Sequence, residues 1–171
     1  MRVILVMFIL ASVADTEARS TIKALTDHLA LPKSKRPPLI QQPFATVTLT
    51  KADAMQAQQL LWGDHLAQIR ATRAAEMKAK VIEIGKHTMR FEFFVYGQKP
   101  KSGRSLFISM HGGGNASARL NDSQWENQKR LYRPAEGIYV APRAPTNTWN
   151  LWHQGHIDGF FDRLIENFVV L

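Results

Sequence analysis

The residues of this chain best equipped for chemistry are His111, Gly112, Gly113 and Gly114, which follow the largely apolar run Leu106–Met110 without a break. Glycine has no Cβ, so its backbone reaches conformations closed to other residues and lets another molecule come close to the peptide N–H. Consecutive glycines after a strand therefore offer amide donors to a carbonyl oxygen on which negative charge grows. A second group, Trp149, Asn150, Trp152 and His153, lies in a proline-bounded stretch after the next apolar run. Open α/β sheets bind ligands beyond such strand ends, so these four are candidate substrate-binding residues. His153-x-x-His156 with Asp158 has the residue types of a metal site. No third histidine stands nearby, and Asp158 reads more simply as an acid in the first turn of a helix. No metal is assigned.

Several elements must position these groups. Leu106–Met110 has the unbroken apolar character of a strand covered on both faces. Upstream, Met89, Phe91, Phe93 and Val95 alternate with Arg90, Glu92, Phe94 and Tyr96. Val81–Ile84 is a shorter run, and Gly85-Lys86-His87 separates the two as a hairpin turn. Downstream, Asn121-Asp122-Ser123 predicts a helix start, with Ser123 and Glu126 as a capping box and Trp125 and Leu131 as anchors. Ile138–Ala141 is a short buried strand stopped by Pro142. Ile157, Phe160, Phe161, Leu164, Ile165 and Phe168 recur at helical spacing through to Leu171 with no closing glycine, proline or polar cap. The expectation is a chain cut in mid-fold. Hairpin, strand, helix, strand, helix is an α/β order with crossover helices.

The segment before residue 80 reads differently. Arg2, the apolar run Val3–Ala11 and Ser12-Val13-Ala14 describe an export signal over 1–18, too short to span a bilayer, and predict a secreted or periplasmic protein. Residues 19–49 hold Pro32, Pro37, Pro38 and Pro43 and read as a leader, with a short helix near Thr21–Leu29. Residues 50–79 predict a helix capped by Thr50 that docks through Met55, Trp62, Leu66, Ile69 and Met77, with Gly63 as its weak point. The 171 residues contain no cysteine, which excludes disulfides and thiolate metal sites. The net charge of +8 comes from scattered lysines and arginines with no interleaved aromatics, which argues against nucleic acid.

From about Lys80 onward the chain resembles the N-terminal half of an α/β-hydrolase, close to the secreted esterase and polyhydroxyalkanoate-depolymerase-like branch. The residues carrying the resemblance are Leu106–Gly114, Tyr139–Pro145 and Trp149–His153. It implies a partial hydrolase sheet over 80–171, an antiparallel hairpin followed by parallel strands, truncated before the nucleophile strand. It also implies a serine hydrolase of esters, with peptide bonds as the lesser alternative, working through an acyl-enzyme on a small-molecule or polymeric ester without a cofactor. Gly113 and Gly114 would form the oxyanion hole and His111 would orient their loop, while Trp149 and Trp152 would wall the pocket. The family's G-x-S-x-G elbow is absent here, so the 171 residues alone would be inactive. The rival expectation is a non-catalytic polymer- or carbohydrate-binding module that stacks its ligand on Trp149 and Trp152.

Overall fold

The computed structural model describes residues 20–171, in two compact units, one ending at Gln68 and the other spanning Ile69–Leu171. The expected export signal lies outside the described residues. Among the described residues no helix is long and apolar enough to cross a membrane.

The first unit begins with a helix over 20–30 (α1), where the sequence predicts a short one. Ile22 and Leu25 bury themselves with Ala57 of the long helix α2, Lys51–Ala79. The proline-rich stretch is not a free linker. It folds into three 3-10 turns, Lys33–Lys35, Leu39–Gln41 and Pro43–Thr46, and Leu39 and Phe44 pack on the α1–α2 cluster. Each turn has a proline just before it or at its first position, where a fixed φ and a missing N–H cost nothing. Arg36 closes the segment by donating to Asp64 at 2.7 Å and to the Leu31 carbonyl at 2.8 Å. Thr50 caps α2 as predicted, accepting from the Asp53 N–H at 3.2 Å. The helix passes through an exposed Gly63 unbroken. The predicted docking stripe holds only in part. Ile69 is buried and Met77 packs on the core of the second unit, but Met55 and Trp62 are 56% and 48% exposed. In the first unit Ala57 makes the contact instead. Alanine's small side chain lets a neighbouring helix come close, a cue that a search for large apolar residues passes over.

The second unit is built on a four-stranded sheet in the order β1-β2-β4-β3. β1 (Val81–Ile84) and β2 (His87–Tyr96) form the predicted hairpin, paired from Val81↔Arg90 to Ile84↔His87, with Gly85 at φ +58° in the turn. β2 then pairs antiparallel with β4 (Gly137–Pro142), and β3 (Leu106–Ile108) pairs parallel with β4. The molecule is therefore α/β with a mixed sheet. Alternate residues of β4 serve opposite layers. Val140 and Ile138 pack with Phe160 and Leu164 of helix α4 (Ile157–Val170), whereas Tyr139 and Ala141 pack with Trp125 of helix α3 (Ala118–Gln128). Burial on both faces explains why β4 shows no polar alternation. Met89, Phe91 and Phe93 join the α4 side.

Further expectations need correction. The run Leu106–Met110 is not a central strand buried on both faces. β3 is only three residues long, lies at the edge of the described sheet and is half-buried. β4 has taken the place between it and β2, which sequence order does not reveal. Helix α3 starts at Ala118, capped by Ser117, whose Oγ accepts from Leu120 N at 3.3 Å. Ser123 is therefore inside the helix, donating back to the Arg119 carbonyl at 3.0 Å, and forms no capping box. Leu131 lies exposed beyond its end, which leaves Trp125 as the anchor. Ile165 is 40% exposed, and the unforeseen Asn167 is fully buried on α4. Asn167 donates to Glu76 at 2.8 Å, and Arg163 grips the same carboxylate, tying α4 to the last turns of α2.

Phe160 is fully buried in the larger core, so Phe160→Ala should destabilise the chain by about 3–5 kcal/mol in urea unfolding. Ile165→Ala, on the same helix but exposed, should change it by no more than about 0.5 kcal/mol.

Candidate functional site

Because β3 and β4 are parallel, their carboxyl ends open on the same rim of the sheet. Two loops meet there, 109–117 after β3 and 143–156 after β4, and a buried imidazole joins them. His111 is 1% exposed, and its Nε2 accepts the Ala144 N–H at 3.1 Å. A peptide N–H can only donate, so Nε2 carries a lone pair and the ring proton resides on Nδ1. Nδ1–H then donates to the Gly112 carbonyl at 2.6 Å. Burial holds the imidazole below its ordinary pKa, and Arg143 pushes the same way. With both nitrogens engaged inside the protein, His111 cannot take a proton from a ligand. It braces the two loops against each other.

Trp152 braces it in turn. The indole N–H donates to the His111 carbonyl at 2.9 Å, and the ring meets His111 edge-on at 5.3 Å between centroids and Phe161 at 5.8 Å. It supports the loop from beneath and is not an open pocket wall. Trp149 is 79% exposed beside the glycines. Asn150 and His153 are bonded to each other in a tight turn, the His153 N–H donating to the Asn150 carbonyl at 2.6 Å. Asn150 Nδ2 donates back to the His153 carbonyl at 3.4 Å. Both bonds are local to the turn, and His153 is exposed.

The glycines differ from one another. Gly114 (φ +77°) lies against the 148–149 backbone, where a Cβ would meet Trp149 O at 2.8 Å and Thr148 O at 3.0 Å. Its N–H donates to Asn121 Oδ1 at 3.0 Å and so is not presented to a ligand. Gly113 (φ +123°) passes over Asn121, whose Oδ1 would stand 2.5 Å from a Cβ there. Among the described residues the N–H groups of Gly112 and Gly113 find no acceptor, and both glycines are exposed. The free amides therefore sit one residue earlier than the sequence suggests, at Gly112 and Gly113. Asn121 is the residue that sequence reasoning misses. It is fully buried, and its Nδ2 donates to the Ala116 and Ser117 carbonyls at 3.2 Å each. Its role depends on where α3 begins, which the misplaced capping box hid.

Around this core, charge is neutralised locally. Arg143 is 6% exposed and donates to Asp122 at 2.9 Å, to the Ala144 carbonyl at 2.6 Å and to the Thr146 carbonyl at 3.2 Å, which fixes the start of the second loop. Hydrogen bonding to Arg143 holds the Asp122 carboxyl below its usual range, with Arg90 adding to the effect. His156 stacks on His87 at 3.9 Å with planes 3° apart; loss of solvent lowers its pKa, and His87 and Lys86 lower it further. Among the described residues no cluster of three or more His, Asp or Glu could hold a metal ion. The serine hydroxyls nearby are engaged elsewhere: Ser109 accepts from Gln128, and Ser117 caps α3. What the arrangement offers chemically is a pair of amide donors on a braced loop.

Comparison with protein-family models, curated proteins and solved structures returns no match for this chain.

Two outcomes follow from this site. Gly114→Ala should cost about 1–3 kcal/mol in urea unfolding, because it adds a Cβ against backbone at a positive φ. Gly112→Ala meets nothing within 4 Å and should be close to neutral. For pH, His111 and His156 have folded pKa values below the unfolded value of about 6.5, so the unfolded chain binds more protons in acid. Their contribution to stability is complete above about pH 6.5 and is lost as pH falls through the depressed folded values. The thermal midpoint should drop between about pH 7.5 and 5, and less steeply in His111→Gln.

Proposed function

We propose that this chain supplies the carbonyl-oxygen-binding part of an exported serine hydrolase of carboxylic esters. The observation that carries the reading is the pair of exposed amides at Gly112 and Gly113, without acceptors among the described residues, on a loop braced from below by His111 and Trp152. In an acyl-enzyme mechanism a serine oxygen adds to the ester carbonyl while its proton passes to a base, and the displaced electron pair collects on the carbonyl oxygen. Gly112 and Gly113 would donate to that oxygen. Removing one such donor typically costs about 10²–10³ in rate. Trp149, exposed beside the loop, is the surface for the acyl or alcohol portion of a small or polymeric ester.

The fold supports this reading in a second way. The resembled hydrolases place the nucleophile strand next to the strand that ends in H-G-G-G. Here β3 has no neighbour on its outer edge among the described residues. A further strand could pair there and bring a serine to the same rim. Nucleophile, acid and base would all come from polypeptide outside these 171 residues. The alternative, a polymer-binding module stacking its ligand on two indoles, has less support, because Trp152 is committed to His111 and Phe161.

The test is hydrolysis of p-nitrophenyl butyrate by the protein expressed from the full open reading frame that encodes these 171 residues. Gly112→Ala, which keeps the amide and has room for its methyl, should stay near the unsubstituted activity. Gly112→Pro, which removes the N–H, should lose about 10²–10³ in rate. Equal activity in the two variants would overturn the donor assignment. Absence of any esterase activity would overturn the hydrolase reading.

A further inference from the structure

We propose that Asn121 is a positioning residue for the glycine loop, its side-chain amide selecting which N–H groups are left to face a ligand. The inference rests on the ester-hydrolase reading and adds a residue to it. Asn121 is fully buried at the start of α3, and it bonds in two directions at once. Oδ1 takes the Gly114 N–H at 3.0 Å, and Nδ2 gives its two hydrogens to the carbonyls of Ala116 and Ser117. One planar group thus joins the last glycine of the loop to the chain that leads into the helix.

The consequences for the neighbouring glycines are geometric. The Gly114 N–H turns toward α3 with Gly113 and Gly114 both at positive φ, and a Cβ at Gly113 would stand 2.5 Å from Asn121 Oδ1. With Gly114 turned inward, the amides of Gly112 and Gly113 remain without acceptors among the described residues, on the exposed side. His111 fixes the beginning of the same loop through the Gly112 carbonyl. The loop is consequently pinned at both ends, by His111 and by Asn121, with the two donors between the pins. A side chain that only filled space at 121 would leave the part-buried Gly114 N–H without an acceptor, and the loop would turn to satisfy it.

The experiment uses the 171-residue chain labelled with ¹⁵N, with amide exchange and chemical shifts read during titration with butyrate, a carboxylate with a short apolar tail. Butyrate should shift the Gly112 and Gly113 amides, while Gly114 is protected from exchange. In Asn121→Leu, of similar volume, Gly114 protection and butyrate affinity should each fall about tenfold. Asn121→Asp keeps an acceptor for Gly114 but gives up the two bonds to Ala116 and Ser117, so it separates the two directions of the amide. The spread of amide shifts shows whether each variant is folded. Asn121→Asp should retain Gly114 protection, and loss of that protection in a folded Asp variant would overturn the proposal. Unchanged butyrate shifts in Asn121→Leu would overturn the role of Asn121 and leave the donor pair standing. No butyrate shift at Gly112 and Gly113 in the unsubstituted chain would overturn the donor pair itself, and the positioning role with it.

Discussion

The site depends on one buried side chain making two hydrogen bonds of opposite sense. His111 accepts from the Ala144 N–H and donates to the Gly112 carbonyl, and so joins the loop after β3 to the loop after β4. A lysine or arginine could not accept, and a carboxylate could not donate without being protonated. Neutral imidazole does both, and burial favours the neutral form. The same burial makes the bridge sensitive to acid, since a proton on Nε2 would face the Ala144 N–H. Trp152 then occupies the remaining acceptor of the residue, its backbone carbonyl.

Around that bridge, polar groups are buried where they serve as connectors. Arg143 holds the backbone of the second loop and pairs with Asp122 on α3, and Asn121 holds the first loop from the same helix. Leaving any one of these without its partner would strand a buried donor or acceptor, which costs far more than the net value of a single hydrogen bond. The loops are thus tied both to the sheet and to α3. That is how a glycine-rich segment with little side-chain packing of its own can keep a defined shape.

How much of this the sequence disclosed follows from the range of each signal. The hairpin, β4 and α4 were legible because their patterns are local: alternation in β2, an apolar run in β4, helical spacing in α4. The break from an apolar strand into a glycine-rich loop after Met110 was legible for the same reason. Strand order was not, since nothing local tells β3 that β4 will sit between it and β2. Asn121 and the fate of the Gly114 N–H were hidden because both depend on the first residue of α3, where Ser117 and Ser123 offer competing caps. Trp149 and Trp152 look alike in sequence, yet one is exposed and the other holds His111. Only the third dimension separates them.

The most direct measurement is the protonation pattern of His111 by long-range ¹H–¹⁵N NMR at neutral pH. A bare, acceptor-type Nε2 and a protonated Nδ1 are the expected result. A protonated Nε2, or a ring exchanging rapidly between tautomers, would contradict the bridge from which the rest of the site is built.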